Sequence, residues 1–155
     1  MAAITGPLSN HAKKVVAEAL QGALVDLLDL SLVAKQAHWN VVGPHFRPLH
    51  LQLDELVDLA REHADTIAER AVAVGVNPDG RAATIGKSTK LTQPEVAWIE
   101  DGKVVAMFTD ILENVSKRMR RRIEATDEPD PVTQDLLIAV AQDIDKQHWM
   151  FQAQR

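Results

Sequence analysis

The sequence predicts an all-α fold, a bundle of four long helices with one long connection in its middle. Four segments repeat apolar residues at the three- and four-residue spacing of an amphipathic helix. Aromatic residues make up 4% of the chain, tyrosine is absent, and strict apolar-polar alternation is rare, so a sheet is not expected. With 155 residues, 46% of them hydrophobic and 25% charged, the chain predicts a single domain over residues 1–155.

The first two helices are separated by the break "VVGP". The first is predicted from a Ser9-Asn10 cap to Val42. The second begins near Pro48 and ends before Gly75, where "NPDG" provides turn residues.

The last two helices are separated by "ATDEPDP". The third is predicted from Asp101 through Ile123. The fourth has Pro131 as an early residue and continues to Phe151, since proline is well tolerated in the first turn of a helix.

The connection between the second and third helices, "RAATIGKSTKLTQPEVAWIED", is too long for a simple link within a compact bundle. Its apolar residues Trp98 and Ile99 predict that it packs against the bundle, with a short extra helix. Four long helices with one central crossover are typical of the ferritin-like form of the four-helix bundle.

Composition excludes several kinds of site. Without cysteine there are no disulfides, thiolate metal sites or cysteine nucleophiles, so a metal would be bound by His, Asp and Glu. The start "MAAITGPLSN" lacks a signal-peptide pattern and no window resembles a membrane span, which predicts a cytoplasmic protein. The net charge of −5 disfavours a surface built mainly to bind phosphates.

Candidate metal ligands cluster between His38 and Glu69. His50 and Asp54 are one helical turn apart and therefore share a face, and the chain reversal could bring His38 beside them. Asp65 and Glu69 repeat the four-residue spacing further along the second helix.

Helix geometry limits how these residues can combine. Asp54 and Asp65 are eleven residues apart, about 16 Å along a helix, which is beyond the reach of one metal ion. Either the chain has two half-sites, or two chains pack antiparallel and complete each other's site. Solvated carboxylates and a capping histidine remain the structural alternative. The lone Asp145-x-x-His148 pair is expected to be a surface or packed pair.

The segment "HWNVVGPHFRPLHLQLDELVDLAREHADTIAERAVAVG", His38 to Gly75, resembles the Dps family (DNA-binding protein from starved cells), small ferritins that form twelve-subunit shells. The long first helix, the central crossover and the C-terminal "DKQHWMF" extend the resemblance to nearly the whole chain.

The resemblance implies a ferroxidase that converts Fe(II) to Fe(III), preferably with hydrogen peroxide, and stores the ferric mineral, protecting the cell from oxidative damage. It implies metal sites at two-fold interfaces of a dodecamer. One subunit would provide His38, His50 and Asp54, and its partner Asp65 and Glu69. Trp39 would lie beside the metal and take up oxidising equivalents, in addition to or instead of packing in the core.

The resemblance also implies acidic pores at three-fold axes, at the segment "TDEPDPVTQD" that contains Asp127, Glu128, Asp130 and Asp135. A ring of acids would concentrate cations there; a solvated loop is the alternative. Asp58 and Glu62 are candidates for nucleating mineral.

A nucleoid-associated, DNA-compacting protein is the alternative function. Lysine-rich tails are typical of Dps proteins that bind DNA, whereas here Lys13 and Lys14 are the lysines near the N-terminus. A shell of twelve such chains would have a charge of about −60, which disfavours DNA. The basic segment "KRMRRR", Lys117 to Arg122, spreads its charges around a helix and is expected to form salt bridges across subunits or a solvated face. A scaffold with idle ligands is the third hypothesis.

Overall fold

The computed structural model describes residues 4–155. Residues 1–3 of the start "MAAITGPLSN", which lacks a signal-peptide pattern, lie outside the described residues. The predicted all-α, ferritin-like four-helix bundle with a short extra helix in the crossover is confirmed. In chain order the elements are α1 (Asn10–Asn40), β1 (Val41–Val42), α2 (Phe46–Ala73), α3 (Ala82–Ser88), β2 (Ile99–Glu100), α4 (Asp101–Thr126) and α5 (Pro131–Gln152).

The boundaries of α1 follow from its capping chemistry. Ser9 is the N-cap, as expected, and its Oγ accepts a hydrogen bond of 3.2 Å from the backbone N–H of Ala12. The helix ends at Asn40, two residues before the predicted end at Val42, because Val41 and Val42 leave the helix to form β1.

Helix α2 starts slightly earlier than Pro48, at Phe46, and runs without a break to Ala73. Gly75 follows in a left-handed conformation, with φ of 77°, which glycine adopts without the steric cost of a Cβ. The turn reverses the chain into the crossover, as the sequence predicts.

The expectation that no sheet forms is wrong in one detail. Val41 and Val42 pair in parallel with Ile99 and Glu100, which joins the turn between α1 and α2 to the end of the crossover. Two residue pairs are too short to produce an alternation pattern in the sequence. The consequence is a fixed contact between the two helical hairpins at one end of the bundle.

Asp101 reinforces this contact at the same end. Its carboxylate accepts hydrogen bonds of 2.8 Å from the backbone N–H groups of His45, just before α2, and of Gly102, in the first turn of α4. These bonds, that from His45 first, lower the pKa of Asp101. Gly43 has a φ of 133°, and a Cβ there would lie 2.7 Å from the Asp101 carboxyl carbon.

The crossover packs against the bundle through Ile99, as expected, but not through Trp98. Trp98 is 75% exposed, whereas Ile99 packs against the core while partly buried, and Ile85 in α3 and Leu91 are buried. The buried carboxylate of Asp29 on α1 accepts hydrogen bonds from the side chains of Thr89 and Gln93, so the crossover is held by polar contacts as well.

The core lies between the two hairpins α1–α2 and α4–α5. Phe108 and Phe151 stack within α4–α5 with ring centroids 5.4 Å apart, and both are fully buried. Leucines from α1 and α2, including Leu27, Leu30, Leu53 and Leu56, fill the space against them. None of the helices in residues 4–155 has the combined length and apolarity that crossing a membrane requires.

Candidate metal centre

His38, near the end of α1, and His50, in the first turns of α2, meet as the chain reversal predicts. Their rings stack with centroids 3.6 Å apart and an interplanar angle of 19°. His38 is 6% exposed and His50 is half-buried, so both imidazoles are shielded by the hairpin but reach its surface.

The two histidines hold each other through the backbone. Nδ1 of His38 lies 2.8 Å from the carbonyl oxygen of His50, and Nδ1 of His50 lies 2.8 Å from the carbonyl oxygen of His38. A carbonyl oxygen only accepts, so each Nδ1 carries the proton and each Nε2 keeps a free lone pair. A donated N–H from the far ring nitrogen is the usual support of a metal-binding histidine, because it fixes the tautomer and the orientation of the ring.

Asp54 lies next to this pair, one turn after His50. Its Oδ1 is 3.4 Å from His38 Nδ1 and accepts a hydrogen bond from the ammonium of Lys35 on α1. The Lys35 hydrogen bond is the main cause of a lowered pKa of Asp54, with the nearby imidazoles contributing. The carboxylate is therefore ionised at neutral pH and available as an oxygen ligand, but it already has a cationic partner.

Asp65 and Glu69 are both exposed on the outer face of α2, away from the histidine pair. Since α2 is continuous, Asp65 remains about 16 Å from Asp54 along the helix axis. In residues 4–155 no three His, Asp or Glu side chains come close enough together to hold a metal ion. One chain thus places His50 and Asp54 each next to His38 without forming a complete metal-binding cluster, and it keeps the two distal acids apart from them.

Apolar side chains are exposed around the histidine pair. Trp39, directly after His38, is 63% exposed, so it does not pack in the core of its own chain. Leu32 on the same face of α1, and Phe46 and Leu51 on α2, are between 42% and 49% exposed. An exposed apolar surface of this kind is typical of a face that another protein molecule covers.

The acidic segment before α5 is only partly free. Asp130 is 5% exposed and accepts hydrogen bonds from Arg70 Nη2, at 2.6 Å, and from the Thr133 hydroxyl. Burial opposes ionisation, yet these hydrogen bonds lower the pKa of Asp130 overall. Its charge therefore links α2 to α5, while Asp127 and Glu128 are exposed.

Most of the basic segment on α4 forms ion pairs within the chain. Lys117 pairs with Glu113 at 2.6 Å, Arg120 pairs with Asp145, and Arg118 and Arg122 both contact the buried Asp26. The expectation of salt bridges across subunits is wrong for these residues, because their ion pairs lie within one chain. Asp145 also accepts from Ser116, which supports its expected structural role.

The sequence reasoning missed Lys35 as a neighbour of the site. Its position three residues before His38 places it on the same helix face, and that spacing was the available signal. The reciprocal bonds between imidazole and carbonyl groups had no sequence signal, since they depend on the distance between α1 and α2.

A sequence profile of the ferritin-like domain matches residues 17–155. The chain is 34% identical, over 147 residues, to the "DNA protection during starvation protein" of Agrobacterium fabrum, covering 94% of this chain and 91% of that protein. It is 37% identical, over 136 residues, to "DNA protection during starvation protein 2" of Deinococcus radiodurans, covering 88% of this chain but 56% of that longer protein.

Among solved structures, that of Mycobacterium smegmatis Dps in a tetragonal crystal form superposes with a TM-score of 0.93 at 35% identity. The match covers 99% of this chain and 94% of that one. Similarity at this identity and coverage extends to the whole fold, including the hairpin that holds the histidine pair.

Proposed function

Because the chain belongs to the Dps family of ferritin-like proteins, we propose that it oxidises Fe(II) at sites shared by two subunits and stores the ferric product in a shell. The observation that most supports this proposal is the incomplete site. One hairpin presents two oriented imidazoles and a carboxylate, and two further carboxylates further along α2 are exposed, the nearer about 16 Å from Asp54.

An antiparallel two-fold contact between two α2 helices would complete the site. His50 and Asp54 lie as far on one side of a point between Leu59 and Ala60 as Glu69 and Asp65 lie on the other, so an axis there places His50 opposite the partner's Glu69 and Asp54 opposite the partner's Asp65. Both pairs of ligands therefore follow from one register.

In this arrangement the protein groups bind and orient Fe(II), the substrate. The Nε2 atoms of His38 and His50 would bind it from one subunit, and Asp65 and Glu69 would bind from the partner. Imidazole accommodates Fe(II), while carboxylates favour the harder Fe(III), so this mixed set favours oxidation. Trp39, which directly follows His38 and is exposed, would supply an electron if peroxide is reduced at a site holding a single iron.

The chemistry balances with hydrogen peroxide as oxidant. Two Fe(II) ions lose one electron each, the O–O bond of one peroxide accepts this pair of electrons and breaks, and the two oxygen atoms end as hydroxide or water. Hydrolysis of Fe(III) to an oxyhydroxide then releases protons. Removing Fe(II) and peroxide together prevents hydroxyl radical formation, which would protect DNA without any contact with it.

We further propose that storage takes place in a dodecamer. Exposed Asp127, Glu128 and Asp135 are available to line an acidic entry route, whereas Asp130 is already neutralised by Arg70. Asp58 and Glu62 are exposed on α2 and available as nucleation sites. Sizing of the purified protein in solution tests the assembly, and a dimer or trimer as the largest species contradicts it.

Fe(II) oxidation with and without peroxide tests the site. His50→Ala removes an oriented ligand, and the initial rate should fall at least about tenfold. His11→Ala is the matched control, because His11 is an exposed histidine at the start of α1, far along the chain from the hairpin turn. Equal rates in the His50→Ala variant and the unmodified protein would reject the proposed site, provided that both elute at the same size.

DNA binding is a second candidate function because the relatives are named for DNA protection. Protection by DNA binding can be separated from protection by iron oxidation. Plasmid DNA is exposed to Fe(II) and peroxide at a salt concentration where the protein causes no gel shift. Protection under those conditions, lost in His50→Ala, supports iron chemistry. Protection that follows the gel shift and survives His50→Ala supports DNA binding instead.

A further inference from the structure

A cationic cavity lies beside α1, and none of its lining residues belongs to α2. It has a volume of about 570 Å³ and lies between α1, α3 with its following turn, and α4. Arg118 and Arg122, one turn apart on α4, form one wall, and Lys90 and Ser88 line the side formed by the crossover. None of these residues belongs to the proposed iron site.

Both arginines are deeply placed and share a single carboxylate. Their side chains are 18% and 16% exposed, and that of Asp26 is 3% exposed. Arg118 Nε donates to Asp26 at 2.9 Å and 3.2 Å, and Arg122 Nη1 is 2.8 Å from the same carboxylate, outside hydrogen-bonding geometry. One negative charge thus faces two permanent positive charges.

The other charged groups around the cavity do not correct this imbalance. Asp79 is the second carboxylate in the wall, but Arg81 and Thr84 already donate to it. Lys90 adds a further cation. The cavity therefore has an excess of positive charge in a partly buried place, where an unpaired charge is costly.

An unused donor points to what would relieve that cost. Nη2 of Arg118 is buried and has no hydrogen-bond partner within residues 4–155. Gly22 lets the neighbouring guanidinium lie against α1, since a Cβ at this glycine would come within 2.9 Å of Arg122 Nη2. A structural link between α1 and α4 needs one arginine and one aspartate; the second arginine and the free donor remain unexplained by it.

We propose that this cavity binds a small tetrahedral oxyanion from solution, with inorganic phosphate as the ligand. Guanidinium groups bind phosphate oxygens through several N–H donors in a fixed geometry, which is why arginine is preferred for this ligand. Arg118 and Arg122 would donate to it, and Lys90 and Ser88, which line the same cavity, provide an ammonium and a hydroxyl. The assignment is independent of iron oxidation.

Isothermal titration of the assembled, iron-free protein with inorganic phosphate at constant ionic strength tests the proposal. Removing iron first is necessary because ferric iron itself binds phosphate. We expect saturable binding of one phosphate per chain with a Kd of about 1 mM or tighter. No saturation up to about 20 mM phosphate would overturn the assignment.

Three variants distinguish a site from a general charge effect. Arg118→Gln should abolish saturable binding, whereas Arg120→Gln, which removes the same charge from the α5-facing side of α4, should leave the Kd unchanged. Asp26→Asn should tighten phosphate binding by at least about threefold, because the competing carboxylate charge is gone. A purely structural role of Asp26 predicts weaker binding or none.

The effect of Asp26→Asn on phosphate binding can still be measured if that variant is less stable than the unmodified protein. Its unfolding temperature should then rise with submillimolar phosphate more than that of the unmodified protein. Equal shifts in all variants would show a general salt effect and would overturn the proposal. Displacement of the phosphate by a DNA duplex, or a neighbouring chain's carboxylate found in the cavity of a crystallised shell, would also overturn it.

Discussion

Mixed shells provide the most direct test of a site completed by two chains. One chain carries His50→Ala and the other Glu69→Gln, so each shell made of one kind has a defect in every site. In a mixed pair, the site with His50 from the second chain and Glu69 from the first has all its ligands. The reciprocal site lacks both the His50 imidazole and the Glu69 carboxylate.

The magnitude follows from random assembly. If the His50→Ala chain is a fraction x of the total, intact sites form in proportion to x(1−x), with a maximum at equal mixing, where about one quarter of all sites are complete. Asp54 and Asp65 are about 16 Å apart along α2, so the residues of a single chain cannot form a complete site on their own.

Co-expression of the two chains at several ratios, followed by sizing and stopped-flow Fe(II) oxidation, measures the effect. The initial rate should reach about a quarter of the unmodified rate at equal mixing and fall on either side. Shells mixed after assembly are the control and should show no recovery. A rate at every ratio equal to the weighted mean of the two parent shells would refute the shared site.

Three further predictions concern the charges around the site and the bundle. Lys35→Gln removes the cation that competes for Asp54, and it should tighten Zn(II) binding roughly fivefold in calorimetric titration; unchanged affinity would mean that Lys35 does not compete. Asp130→Ala leaves Arg70 without its buried partner and should lower the free energy of unfolding by about 3 kcal/mol in urea, whereas Thr133→Val should cost about 1 kcal/mol. Because the pKa of Asp130 is lowered from 3.8, its stabilisation is present above that pH and is lost as the pH falls below it; acid unfolding of Asp130→Ala should therefore depend less on pH than that of the unmodified protein.

The four long helices were predictable because each has an apolar repeat, and α1, α2 and α5 also have a local boundary signal. Ser9 provides a cap, Gly75 a left-handed turn and Pro131 a first-turn proline, and the structure uses all three as the sequence indicates. The strand pair and the exposed position of Trp98 were not predictable, because both depend on where the crossover meets the first hairpin.

The candidate site was predictable in its residue types but not in its bonding. Spacing placed His50 and Asp54 on one face, and the turn brought His38 to them. The tautomers, in contrast, are set by carbonyl oxygens of the opposite helix, and spacing within a helix gives no information on that distance. Ligands contributed by a second chain stay a proposal, since the residues of one chain do not fix the register of a contact between two.

Asp101 makes the start of α2 depend on α4. Its carboxylate accepts hydrogen bonds from the backbone N–H of His45, just before α2, and from that of Gly102, in the first turn of α4. A substitution there would shift or loosen an imidazole without changing any of the proposed ligands. In a screen for variants with impaired mineral formation, Asp101 would score among the ligands although no atom of it meets a cation. Mutational data of that kind, taken without the coordinates, would add a false member to the coordination sphere.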